Sequence, residues 1–276
     1  MRTAAARCGP GAPLEEFLER LYELYNRPEF IHPDPLEFVH RYQGAPDREV
    51  AGLIASALAY GRVKQILCSV ETVLGRMGPS PCAFLLETPR KDIRKMFHSF
   101  KHRFTTGDVL AAMLEGAKKL LEEYGSLESC FLSEFDSSAP NIVPALSAFV
   151  KKLHIAAGRG MPMFLPFPAD GSACKRLNLF LRWMVRRDGV DPGVWRAVPA
   201  SHLVVPLDTH MHRISLALGL TGRKQADMRC AVEVTENFAA IRPEDPVRYD
   251  FALTRLGMNG NGSPDFLDKP AGLPRG

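Results

Sequence analysis

The sequence predicts an all-α protein, and three observations carry that expectation. Apolar residues recur at helical spacing almost throughout, as in Leu14, Phe17, Leu18, Leu21, Tyr22 and Tyr25, and again in Val50, Leu53, Ile54, Ala57 and Leu58. Strand-like alternation is almost absent. Four helix starts are signalled by a polar residue followed by proline at the first helical position: Ser80-Pro81, Thr88-Pro89, Asp191-Pro192 and Asp245-Pro246.

Taken along the chain, these patterns place helices near 14–26, 47–59, 62–77, 81–87, 89–97, 106–124, 138–154, 173–188, 192–197, 209–218, 224–240 and 246–256. The stretch Gly158 to Gly171, rich in Pro and Gly around apolar residues, reads as a loop bridging two lobes. The expected organisation is one helical domain over 14–257, with lobes at roughly 47–157 and at 14–46 plus 172–257. Residues 258–276, rich in Gly and Pro, read as a flexible tail.

With 276 residues, 46% of them apolar and 24% charged, the chain can bury a substantial core, which excludes a disordered protein. The net charge of +4 permits nucleic-acid binding without requiring it. The six cysteines (Cys8, Cys68, Cys82, Cys130, Cys174 and Cys230) lie far apart, with no CxxC pair, so neither a zinc nor an iron–sulfur cluster is expected, nor any other cofactor. No apolar run approaches the roughly 18 to 20 residues of a membrane span, and Met1 to Pro13 lacks the apolar core of a signal peptide. A cytoplasmic protein with free thiols is the expectation.

Chemistry is expected in two neighbouring segments. The helix opening after Ser172 carries Lys175, Arg176, Arg182, Arg186 and Arg187 in about four turns, together with Trp183. Leu177, Leu181 and Met184 form its apolar stripe, while Lys175, Arg182 and Arg186 fall on another side. Such a row offers charge-assisted hydrogen bonds to phosphates, and Trp183 offers a flat face to a base. The alternative is a solvated face covering a core helix. Further on, the apolar run His202 to Leu207 ends in Asp208, and helical spacing resumes with Met211, Ile214, Ser215 and Leu218. Asp208 is therefore a natural N-cap, a carboxylate held ionised by backbone amides and the helix dipole. Asp208, His210 and His212 have the order of a metal motif, but the segment after them reads as helices, and residues 210 and 212 of a helix point about 200° apart. No metal is expected there.

The segment Pro206-Leu207-Asp208-Thr209-His210-x-x-Arg213, followed by Leu218-Gly219-Leu220, resembles the V-D-T-H-x-x-R-x-x-x-R-L-G signature of the helix-hairpin-helix DNA glycosylases, the endonuclease III-like superfamily. Glu49 to Gly61, with Val63 and Gln65, is similar to the superfamily's first core helix, and Gly78-Pro79-Ser80-Pro81 to the turn after it. More closely, residues 14–257 resemble a bacterial family of unassigned function, distantly related to these glycosylases. Asp47-Arg48-Glu49, Ala59-Tyr60-Gly61-Arg62, Gly171 to Asn178, Leu181 to Met184 and Tyr249 to Leu253 carry that likeness. The Leu-Pro-Gly-Val-Gly hairpin of the superfamily, whose amides bind a phosphate, is missing; its nearest counterpart is Asp188-Gly189-Val190-Asp191-Pro192-Gly193. Lys175 lies 33 residues before Asp208, a separation similar to that of the archaeal 8-oxoguanine glycosylase branch.

The resemblance implies a two-lobed helical fold with a divergent or missing hairpin, and a base-excision-repair glycosylase that removes a damaged base from double-stranded DNA, with lyase activity in addition. Asp208 would stabilise the sugar cation and Lys175 would be the nucleophile, its pKa depressed by Arg176 and Arg182. Arg176, Arg182, Arg186, Arg187, His210 and Arg213 would contact DNA. The pocket for a flipped base would draw on Tyr60, Gln65, Trp183 and the loop Met161 to Pro168. Phe164, Phe167 and Trp195 read as core, and Tyr249-Asp250 as packing and a hydrogen bond. Two other functions fit the same residues: a non-catalytic nucleic-acid-binding module, and a helical interaction protein whose basic helix meets an acidic partner.

Overall fold

Burial organises the chain around two helices, one early in the sequence and one past its middle. In the computed structural model, which describes residues 12–259, the helix Ala45–Ala57 is buried along nine consecutive residues and packs against Lys175–Val185, also buried along nine. Their approach is close because residue 52 is glycine: a Cβ there would stand 2.7 Å from Met184 Cε.

In chain order the described residues form thirteen α-helices and one small sheet. The first half comprises α1 (Ala12–Tyr25), α2 (Glu37–His40), α3 (Ala45–Ala57), α4 (Val63–Met77), α5 (Pro81–Glu87), α6 (Arg90–Phe97), the antiparallel pair β1 (Lys101–His102) and β2 (Thr105–Thr106), α7 (Gly107–Tyr124), α8 (Leu127–Leu132) and α9 (Val143–Ala157). The second half comprises α10 (Lys175–Val185), α11 (Thr209–Ala217), α12 (Met228–Ala239) and α13 (Asp250–Asn259). One group of helices, α3 to α9, is knitted by α7 lying along α9, α6 and α8; a second joins α1 and α11 to α13; α10 on α3 ties the two together. Gly116 permits the α7–α9 crossing, since a Cβ there would meet the Leu153 carbonyl at 2.8 Å. No helix among the described residues is long and apolar enough to cross a membrane.

The all-α fold stands, with local differences that have identifiable causes. Ser80 caps α5 as its sequence suggests, accepting from Ala83 N–H, with Pro81 next. The helix expected over 192–197 is extended chain. Asp191 is not free to cap it, because its carboxylate is taken by Arg182 and Arg186. Instead Gly193 N–H and Trp195 N–H donate to the Trp183 and Met184 carbonyls and satisfy the open end of α10. The helix expected to start at Pro246 starts at Asp250, since Asp245 is bound to Arg186 rather than to a first turn. Two short helices, α2 and α8, and the hairpin at 101–106 escaped the helical-periodicity reading; none is long enough to show a period. The last helix extends to Asn259, and the tail expected from 258 otherwise lies outside the described residues.

Candidate active site

Asp208 is the N-cap of α11, with extended backbone (φ −113°, ψ −176°). Its Oδ1 accepts hydrogen bonds from both His210 N–H and Met211 N–H at 2.9 Å. That leaves Oδ2 outside the cap, and Oδ2 lies 3.8 Å from Lys175 Nζ. Lys175 opens α10 directly after Cys174, whose left-handed backbone (φ 47°, ψ 38°) turns the chain sharply into the helix. The ammonium also reaches the Ala59 carbonyl at the end of α3, at 3.5 Å. Both side chains keep solvent access, 31% for Lys175 and 45% for Asp208, so the pair is open to a ligand.

The pair sits in a cavity of about 480 Å³, walled by Pro33 to Pro35, by Ala59 to Gly61 with Val63 and Ile66, by Lys175, Arg176, Leu179 and Arg182 of α10, by Pro206, Asp208 and Met211, and by Asp250, Phe251, Thr254 and Arg255 of α13. That volume falls within the roughly 300–1,000 Å³ of small-ligand sites. Its floor is ionic: Arg182 is paired with Asp250, which also lines the cavity, and behind it with Asp191, which Arg186 shares while also taking Asp188 and Asp245. Burial pushes the Asp250 and Asp191 carboxyls up from their ordinary values, against the pull of the arginines. Burial pulls Arg182 down, but Asp191 and Asp250 hold it above its ordinary value. At the cavity edge Arg255 bonds Asp34 at 2.7 Å and lies over the Phe251 ring.

The structure thus brings together Lys175, Asp208, Tyr60 and Arg176, and it reassigns most of the other residues expected to touch DNA. Arg182 and Arg186 are buried and spend their guanidinium groups on the aspartates just named, so they do not face a phosphate. Trp183 is 0% exposed, enclosed in the core with no face left for a base. Gln65 is exposed on α4 and does not line the cavity. Arg176 is also turned inward: it donates to the Ala57 and Met163 carbonyls, and its guanidinium lies over the Tyr60 and Phe164 rings. Arg187 is exposed but follows the far end of α10, roughly 15 Å along the helix axis from Lys175. Arg213 is exposed on α11 away from the cavity walls, and His210 is half-buried in the first turn after Asp208. Of the loop expected to add to the pocket, Met161, Phe164 and Leu165 are core, as is Trp195.

The hairpin counterpart is closed upon itself. Asp188 Oδ1 accepts from Val190 N–H and Asp191 N–H at 2.8 Å, so the amides that would face a phosphate are already occupied by a carboxylate of the same turn. His40 Nε2 donates to the Val190 carbonyl and packs the turn onto α2. Among the described residues, no group of three or more His, Cys, Asp or Glu is placed to hold a metal ion, and His212 Nε2 donates instead to the Arg223 carbonyl.

Sequence reasoning missed Asp34 and Arg255 and gave Tyr249-Asp250 only packing and a hydrogen bond, with no place in a cavity wall. The Asp34-Pro35 and Tyr249-Asp250-Phe251 segments carry no spacing that announces a cavity wall; it arises where the chain returns and brings Asp250 of α13 to Arg182 of α10.

An all-helical chain in which a lysine and the free oxygen of a capping aspartate face each other in a cavity defines a class of protein: a helical fold with a lysine–aspartate site. Residues 34–259 match the family described as "Protein of unknown function (DUF2400)", and the chain belongs to that family. Neither the curated proteins nor the solved structures contain a match to it.

Proposed function

We propose that this protein is a DNA-repair N-glycosylase with lyase chemistry, related at a distance to the helix-hairpin-helix glycosylases. The observation that carries the reading is the 3.8 Å approach of Lys175 Nζ to Asp208 Oδ2 within a cavity large enough for a base. The two groups divide the work of base release. As the glycosidic bond breaks, its electrons leave with the base and the sugar becomes cationic at C1′. A carboxylate whose other oxygen is fixed by two amides is preorganised to stabilise that charge. The departing base takes one proton from the lysine ammonium and the amine so formed bonds to C1′; a second proton passes from that nitrogen to O4′ as the C1′–O4′ bond breaks, leaving a protonated Schiff base that added borohydride can reduce.

Asp208→Asn separates these roles from folding, because asparagine caps a helix about as well as aspartate. Base release from a panel of lesion-bearing duplexes is expected to vanish in Asp208→Asn while DNA binding persists. Unchanged release in that variant would refute the reading.

A non-catalytic nucleic-acid-binding protein is the second reading, and one observation favours it: the Asp188 carboxylate occupies the hairpin amides. It predicts salt-dependent DNA binding with no base release from any lesion and no effect of Asp208 or Lys175 substitutions.

A further inference from the structure

With Arg182, Arg186 and the hairpin amides committed internally, a nucleic acid must be gripped elsewhere. The β1–β2 hairpin offers a place. Lys101 pairs with Thr106 and His102 with Thr105, leaving Arg103 and Phe104 alone at the tip. Arg103 adopts the left-handed region (φ 52°), unusual for a residue other than glycine, and its side chain lies against Gly61 on the cavity wall. Phe104 is 52% exposed, so much of its ring is open to solvent.

The ring is nonetheless rigidly placed. It stacks on Tyr60 at 4.7 Å with planes 24° apart, and Tyr60 is fixed by hydrogen bonds to Thr105 Oγ1 and the His102 carbonyl. The Arg176 guanidinium lies over the Tyr60 ring at 4.8 Å and over the Phe164 ring at 5.6 Å. Four flat groups in pairwise contact therefore run from the buried Phe164 to Phe104, which is half exposed. Tyr60 lines the cavity, and the Ala59 carbonyl beside it holds Lys175, so the open end of the stack adjoins the candidate site. The surrounding chain is cationic: residues 58–70 and 98–107 contain Arg62, Lys64, Lys101 and Arg103 and no Asp or Glu.

We infer that the open face of Phe104 is a second nucleobase subsite, on which the base next to the one held in the cavity stacks, with the flanking strand's phosphates on Arg62, Lys101 and Arg103. The inference rests on the proposed function for the identity of the strand as DNA. Stacking on an exposed ring accepts any base, because every base has a π face, and the cations supply attraction without sequence preference. The subsite therefore adds grip next to the site rather than choice of lesion.

The test uses a duplex carrying a tetrahydrofuran abasic analogue. Phe104 is at a hairpin tip, so replacement leaves the core intact. Phe104→Ala and Phe104→Leu are expected to bind the duplex about five- to 150-fold more weakly than the native protein, leucine failing with alanine because it has no flat face. Phe104→Trp should bind well, and DNA should quench emission beyond any change seen in the native protein, whose two tryptophans are both buried. Native-like affinity in Phe104→Ala and Phe104→Leu, with unquenched emission from the introduced tryptophan, overturns the subsite while leaving duplex binding and base release by the native protein as support for the proposed function. Failure of the native protein itself to bind the duplex removes both.

Discussion

Replacing Arg182 with methionine removes the cation that the cavity floor is built on. Arg182 and both its partners, Asp191 and Asp250, are almost wholly buried, so solvent offers little screening. Breaking a buried pair by deleting one member costs about 3–5 kcal/mol. Asp191 keeps Arg186, so the principal orphan is Asp250, and the lower figure, about 3 kcal/mol, applies. For a chain of this size that corresponds to a fall in melting temperature of roughly 6 °C. The loss depends on pH with a definite sign. Burial already raises the Asp250 carboxyl, and without Arg182 it rises further above its unfolded value. The deficit is therefore fully present above the folded-state pKa and shrinks as pH falls toward the unfolded value, near 4, because the folded variant takes up a proton there. Adding Asp250→Asn should recover part of the deficit at neutral pH. Urea titrations of the native protein, Arg182→Met and Arg182→Met/Asp250→Asn at pH 7.5 and pH 5 measure this directly. An Arg182→Met variant as stable as the native protein, or one whose deficit grows in acid, refutes the reasoning.

Two further stability predictions come from positions remote from the site. Gly107→Ala should destabilise by about 3 kcal/mol or more in chemical denaturation, because a Cβ there would lie 1.9 Å from the Phe97 carbonyl oxygen, a backbone atom with no freedom to move aside. Glu49→Gln should cost about 1–3 kcal/mol by the same measurement: the buried carboxylate accepts from Leu127 N–H, Glu128 N–H and Trp195 Nε1, and an amide supplies one acceptor where three donors converge.

What the sequence made legible was whatever depends on local pattern. Most of the helical periods, the Ser80-Pro81 start and the Asp208 cap are decided within one or two turns, and these appear in the structure. The basic helix misled because composition does not say where a charge points. Lys175 lies at the first turn, open to the cavity, while Arg182 and Arg186, two and three turns on, face aspartates brought from the 188–191 turn and from the chain before α13. Those aspartates looked like helix caps in Asp191-Pro192 and Asp245-Pro246, and the arginines looked like phosphate ligands. Each misreading has the same cause, a side-chain pairing that residue spacing does not announce, whether across a turn as in Arg186–Asp191 or across much of the chain as in Arg186–Asp245. Phe104 escaped notice for the opposite reason: a lone aromatic in a polar stretch has no pattern, and only its stack on Tyr60 gives it a place.

Of all these consequences, the attachment of a sugar to Lys175 bears most directly on the proposed chemistry. Incubating the protein with an abasic-site duplex and sodium borohydride, then mapping the product by peptide mass spectrometry, should give one adduct, on Lys175, absent from Lys175→Ala. The same variant should still bind the duplex. An adduct on a different lysine, an undiminished yield in Lys175→Ala, or no adduct from the native protein would contradict the account.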